Sequence, residues 1–298
     1  MSSSHMYLNT NESIVPIHST EELEKRWDRF SSVYSKYNNT LCLSFCNILI
    51  ANLVLAPLDS KKIPKSILEV GCGAGAGTEL CIFYKHPSTK LTSTDLSGEM
   101  IQLTKKRCQI PLELDCNTEK SVSIQKADAE NLPFGNATFD RYLANLCLHL
   151  VNDPDQMFSE SYRVLEDGGI AAFSVWGRKE NTSKFTIVNE CAEILGITSK
   201  PMQRSAFHLN DLSKLREMGL KAGFKKVLTG YTYCNDLSQS GEEFVESVFS
   251  TPELVDKAKV LDEQLMSKWR SLVKEHVDNL YNQGKFIGFE AGYMICTK

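Results

Sequence analysis

Ser66-Ile-Leu-Glu69-Val-Gly71-Cys-Gly73-Ala-Gly75 is the stretch on which the reading of this chain turns. Ser66 to Val70 is a short apolar run of strand type. The glycines after it let the backbone turn tightly and approach a ligand, and the helix that follows offers unpaired amides to anionic groups. Gly71, Gly73 and Ala76 also meet the looser dinucleotide spacing of glycine, glycine and glycine-or-alanine. A nicotinamide cofactor and a purely structural glycine turn are therefore both open readings at this point. Asp95 lies beyond Gly75 at the end of the next β-rich run, where a carboxylate can accept both hydroxyl hydrogens of a ribose.

Outward from this loop the chain alternates. Ser66–Val70, Leu91–Thr94, Val122–Lys126, Arg141–Asn145 and Ile170–Trp176 read as strands, with helical segments such as Gly98–Arg107 and Asp155–Leu165 between them. That alternation predicts an α/β fold, a Rossmann-like parallel sheet covered on both faces. Later, a helix over about 210–222 and two further strands, Val227–Cys234 and Phe286–Cys296, are expected. Between those strands Thr251-Pro252 starts a helical stripe of Leu254, Ala258, Leu261, Leu265, Trp269, Leu272 and Leu280. Upstream, residues 19–56 read as helices opening on the capping pair Ser19 and Glu22. The expected division is an N-terminal helical cap (1–60), a core (61–240 and 284–298) and a helical insertion (241–283) forming part of the cap.

Composition sets the limits. With 298 residues, 42% hydrophobic and 23% charged, the chain can bury a core without disulfides or a structural metal. A net charge of -4 provides no overall basic field for a polyanion, so no nucleic-acid partner is expected. None of the ten cysteines forms a two-residue-spaced pair, and Cys42 and Cys46 have no second pair or nearby His to complete a tetrahedron; no metal is expected. Leu41–Leu58 lacks charge, but Ser44, Asn47 and Asn52 interrupt it and Pro57 closes it, which argues for a buried helix rather than a membrane span. Met1 to Met6 lacks the layout of a signal peptide and its Ser-rich run reads as an expression remnant, leaving a cytoplasmic location as the expectation.

The ordered set Glu69–Gly75, Thr94-Asp-Leu-Ser-Gly-Glu-Met100, Asp128-Ala-Glu-Asn-Leu-Pro-Phe134, Leu148-His-Leu-Val151 and Arg163-Val-Leu-Glu-Asp-Gly-Gly169 resembles class I S-adenosylmethionine-dependent methyltransferases. The resemblance is to the small-molecule branch that includes the ubiquinone and menaquinone biosynthesis enzymes, and it covers Ile67–Trp176. Many relatives have Pro where this chain has Asp167. It implies a seven-stranded sheet with an antiparallel last strand, and S-adenosyl-L-methionine as cofactor with S-adenosyl-L-homocysteine as product. It further implies that Gly71, Gly73 and Gly75 approach the methionine part and that Asp95 holds the ribose. Leu96 and Met100 would then flank the adenine, Asp128 and Ala129 bind its edge, and Asn145 face the methionine part. Trp27-Asp28 followed by Tyr34 resembles the helix that closes over the cofactor, with an ordinary packing aromatic as the alternative for Tyr34.

Methyl transfer from a sulfonium is an in-line displacement in which positioning supplies much of the rate. His149, after the fourth strand, is the candidate base, although a His here also serves in packing. Trp176 is a candidate for the acceptor pocket or for plain core, and His208 for the pocket or for a helix-cap contact. The expected partner is a small-molecule acceptor. Two other function classes stay in view: a nicotinamide-dependent oxidoreductase, and a cofactor-binding interaction module without turnover.

Overall fold

A helical crossover brings the chain back to begin its next strand at the same end of the sheet, so the alternating segments lie parallel. In the computed structural model, which describes residues 18–111, 116–117, 121–198 and 204–298, the parallel strands are β1 (Ser66–Val70), β2 (Lys90–Asp95), β4 (Val122–Lys126), β5 (Phe139–Ala144) and β6 (Leu165–Trp176). β7 (Lys226–Asn235) and β8 (Gly288–Thr297) complete the seven expected strands. A two-residue antiparallel edge piece, β3 (Cys116–Asn117), adds an eighth that no sequence pattern marked. The order is β3-β4-β2-β1-β5-β6-β8-β7, and the chain-final β8 runs antiparallel to both neighbours, as expected. Met1 to Met6 lies outside the described residues.

Period-two alternation sends neighbouring residues to opposite faces. Leu68 and Val70 of β1 enter one apolar layer and Ile67 enters the other. The first layer is closed by α5 (Pro154–Val164) and α7 (Leu212–Lys221), which supply Phe158 and Leu215. The second is closed by α2 (Asn39–Leu53), α3 (Ala76–Tyr84) and α4 (Gly98–Arg107), through Leu49, Cys81 and Ile101 among others. Burial of Leu49 and Leu53 of α2, each fully enclosed, contributes roughly 1.5–3 kcal/mol per side chain. This enclosure accounts for most of the apolar positions of the uncharged stretch as far as Leu55, whereas Leu58 is exposed. Among the described residues no helix is long and apolar enough to cross a membrane.

Residues 19–56 are helical, as expected: α1 (Thr20–Val33), with the Ser19–Glu22 capping box in place, passes into a π-helical turn, Tyr34–Asn38, before α2 begins. Two expectations need correction. α2 stops at Leu53, ahead of Pro57, because Val54 takes a left-handed φ of 51° and the Arg141 guanidinium donates to the Leu53 carbonyl. The stripe from Leu254 to Leu280 is split into α9 (Pro252–Ala258) and α10 (Glu263–Asn282), the second started by the Asp262 carboxylate accepting from Leu265 N at 3.0 Å. α6 (Ser183–Ile194) and α8 (Gly241–Phe249) lie in segments whose sequence marked neither helix separately. α6, α8 and α10 share a core around the fully buried Trp269, whose indole N–H donates to Val188 O at 3.0 Å.

Candidate active site

From β1 the chain extends the sheet one way through β2 and β4; from β5 it extends it the other way through β6. A crevice opens at the carboxyl ends of strands where such an order reverses. A cavity of about 530 Å³ occupies that place, within the range of about 300–1,000 Å³ usual for ligand pockets. Gly71 and Gly73 after β1, Asp95 and Leu96 after β2, Asp128 and Ala129 after β4, and Asn145 and His149 after β5 all line it.

The glycine loop is built for close approach. Gly71 and Gly73 hold φ of +70° and +56°, and a Cβ at Gly71 would lie 2.7 Å from Cys147 Sγ. Gly75 serves another purpose. It is the left-handed cap of α3, pressed against the Thr104 backbone, and it does not line the cavity. Asp95 accepts from Gly73 N and Ser97 N, each at 2.9 Å, which fixes the carboxylate at the cavity wall. Burial raises its pKa and those backbone donors oppose the rise. A desolvated carboxylate beside a Cβ-free cradle fits a ligand that brings hydroxyl donors and lies close to the main chain. Met100, fully buried, lines the same end.

α1 crosses this end and is tied down there. Asp28 accepts from Ser97 Oγ at 2.5 Å and Glu99 N at 3.2 Å, so its carboxylate sits at the start of α4. At the π-helical turn the Tyr34 ring lies over the glycine loop: a Cβ at Gly73 would meet it at 3.2 Å. The Tyr34 hydroxyl is 3.3 Å from Cys42 Sγ. Asn145 lines the cavity, yet its amide is already engaged, donating to Cys42 O at 3.0 Å and accepting from Ser174 Oγ at 2.7 Å. Its side chain therefore joins α2 to the sheet. Leu146 follows with a left-handed φ of 52° and turns the chain so that Asn145 and Cys147 both reach the cavity.

The other end is apolar and aromatic. Trp176 stacks on Phe289 with ring centres 5.3 Å apart and meets Phe45 and Phe185 edge-on. Val188 of α6, Val248 of α8 and Leu254 of α9 continue the lining. His149 stands 5.8 Å from the Trp176 ring, is 4% exposed, and has no partner on either ring nitrogen among the described residues. Burial, with the nearby His208 and Arg204, lowers its pKa to about 3, so the imidazole is neutral. His208 does not reach the cavity; its Nε2 is buried without a partner among the described residues and its pKa falls to about 4. Burial pushes the cavity thiols Cys42 and Cys147 up, Cys42 to about 11, which keeps both protonated.

Sequence reasoning left three residues of this region without a role. Glu69, 3% exposed, accepts from Thr78 Oγ1 at 2.5 Å and Ser93 Oγ at 2.7 Å beneath the glycine loop, and burial raises its pKa to about 7. It stood in plain sight in the quoted motif, as did Asp28 beside Trp27. Lys184 lies on α6, where no motif pointed.

Residues 68–173 match the family model described as a methyltransferase domain. Over these residues the chain carries a methyltransferase domain. Its similarity extends to curated methyltransferases: a malonyl-[acyl-carrier protein] O-methyltransferase of Priestia megaterium is 28% identical over 66% of this chain and 67% of that one. A demethylmenaquinone methyltransferase of Lactobacillus johnsonii is 26% identical over 54% of this chain and 68% of the relative. A phthiotriol/phenolphthiotriol dimycocerosates methyltransferase of Mycobacterium leprae is 34% identical over 37% of each. The chain thus spans between about a third and two thirds of the length of these relatives. Among solved structures, the [4+2]-cyclase SpnF superposes with a TM-score of 0.58 at 15% identity, covering 96% of this chain and 97% of that one, which is a likeness of fold. These likenesses are to methyltransferases, and the nicotinamide reading is not favoured.

Proposed function

We propose that this methyltransferase moves the methyl group in line to a hydroxyl of a small, largely apolar acceptor enclosed beneath a helical cap. One observation carries the reading of the acceptor: a buried imidazole, with both nitrogens unpartnered among the described residues, faces a cavity end lined mainly by aromatic and aliphatic side chains. Gly71 and Gly73 would receive the methionine part of the cofactor, Asp95 its ribose, and Leu96, Met100, Asp128 and Ala129 its adenine, with Tyr34 closing over the loop. When bound, the cofactor supplies a methyl group already activated by a sulfonium charge.

The protein's own contribution is positional and protic. Trp176, Phe185 and Phe289 would orient the acceptor, and neutral His149 would hold its hydroxyl in one alignment. As the methyl–oxygen bond forms, the unprotonated ring nitrogen of His149 takes the hydroxyl proton. His149 would then carry, as imidazolium, the positive charge that a bound sulfonium brings, so the cavity's net charge would be unchanged across the step. That balance supports proton uptake by a group with so low a pKa in the empty site.

The cap is proposed to consist of the N-terminal helices (1–60) and the insertion (241–283), with residues 61–240 and 284–298 as the core and α6 as a further cap element. Ion pairs between α1 and α9 support this: Arg29–Asp256 at 2.6 Å and Arg26–Glu253 at 3.4 Å. Arg26, Glu253 and Thr251 line the cavity, so closure there would exclude water. The test is turnover of methyl-labelled S-adenosylmethionine against phenols, alcohols and amines. Labelled ether from a hydroxyl acceptor, abolished by Asp95→Ala with the fold intact, is expected; labelled product from amines alone would contradict the hydroxyl assignment.

A further inference from the structure

The acceptor end contains a second buried polar group that the proposed reaction does not use. Lys184, in the first turn of α6, donates to Asp236 Oδ1 at 2.6 Å and to Ser247 Oγ at 3.1 Å, and it is one of the residues lining the cavity. The two charged side chains are 6% and 1% exposed. An ammonium has three N–H donors, and among the described residues only these two are committed. Asp236 Oδ2 is likewise buried without a partner. The pair is therefore not a fully satisfied tie. Joining α6 to the β7–α8 connection does not require it either, because apolar residues of similar volume commonly serve as well as a buried ion pair.

Its placement is informative. The Lys184 ammonium lies 5.4 Å from the Phe244 ring centre and 5.9 Å from that of Phe289, Phe289 stacks on Trp176, and Trp176 meets His149. An aromatic floor thus runs from one buried polar group to the other. We propose that Lys184 is a specificity-determining residue whose third N–H reads an sp² oxygen, carbonyl or carboxylate, at the end of the acceptor remote from the hydroxyl held by His149. Because Asp236 already balances the ammonium charge, a neutral carbonyl and a carboxylate share this chemistry. The inference rests on the methyltransferase reading of the same cavity.

The test is calorimetric binding of 4-hydroxybenzoate, 4-hydroxyacetophenone and 4-ethylphenol to protein saturated with S-adenosylhomocysteine. Lys184→Met alone would strand a buried carboxylate, so it is paired with Lys184→Met/Asp236→Leu, which removes both charges. Wild-type protein is expected to bind the acid or the ketone about tenfold more tightly than 4-ethylphenol, the size of one charge-assisted hydrogen bond. In the double variant that preference should collapse to about twofold or less, with S-adenosylhomocysteine affinity unchanged. Preference for the acid assigns the carboxylate and preference for the ketone the carbonyl. Equal binding of the three, a preference that survives the double variant, or no binding of any phenol to the cofactor-loaded protein would overturn the assignment. Absence of S-adenosylhomocysteine binding by the wild type would instead overturn the reading beneath it, and the proposal with it.

Discussion

At one end of the cavity most candidate groups come from loops leaving the carboxyl ends of parallel strands; at the other, much of the lining beside His149 and Trp176 comes from α6, α8, α9 and β8, elements far apart in the chain. The first arrangement is local, so order along the sequence fixes order in space. The second exists only after the helices have packed around Trp269 and docked on the sheet. Cofactor chemistry can therefore be constant while acceptor choice changes with the packing of a few helices.

Variants can separate the ends. The largest effect is expected from His149→Ala, which should lower kcat by about 10²–10⁴-fold, the usual contribution of a positioned base, while S-adenosylhomocysteine affinity stays the same. An equal loss of cofactor affinity would mean that the two ends are not independent. Asp95→Ala should act in reverse, weakening S-adenosylhomocysteine binding by about 10–100-fold as hydrogen bonds to a charged group are lost, without altering acceptor preference.

Glu69 and His149 give the comparison opposite pH signatures. Glu69 has its pKa raised from 4.5 to about 7, so between those values the folded state holds more protons than the unfolded. Its contribution is fully present below pH 4.5 and is lost as pH rises through 7, by roughly 3 kcal/mol at most. His149 is lowered from 6.5 to about 3, so its contribution is present above pH 6.5 and is lost as pH falls. Glu69→Gln should therefore remove a fall in Tm as pH rises from about 4.5 to 7, and His149→Ala a fall in Tm as pH drops from about 6.5 towards 3. Unchanged slopes in both variants would contradict the burial argument.

The smallest effect concerns the cap. The α1–α9 ion pairs are exposed, so raising salt should screen them and speed amide exchange in α1 while leaving global Tm nearly unchanged. Exchange in α1 that is insensitive to salt would show that the α1–α9 ion pairs do not hold that helix.

The sheet was legible because each strand carried its own apolar run and each crossover its own helix signal. Gly71, Gly73, Asp95 and Asp128 were legible for the same reason: they sit where a strand ends. Gly75 was misjudged because a left-handed cap and a ligand cradle need the same residue type, and only the position of Thr104 distinguishes them. His208 was misplaced, and Lys184 overlooked, because burial of a polar side chain on a helix depends on what packs against it. The π-helical turn at Tyr34, where the ring is seated on Gly73, had no signal either.

The central claim is that the cradle after β1 and the carboxylate after β2 bind the adenosyl cofactor. Calorimetric titration of the wild type and Asp95→Ala with S-adenosylhomocysteine and with NAD tests it most directly. Saturable binding of S-adenosylhomocysteine alone, sharply weakened by Asp95→Ala, is predicted. Binding of NAD in its place, or S-adenosylhomocysteine affinity indifferent to Asp95, would contradict it.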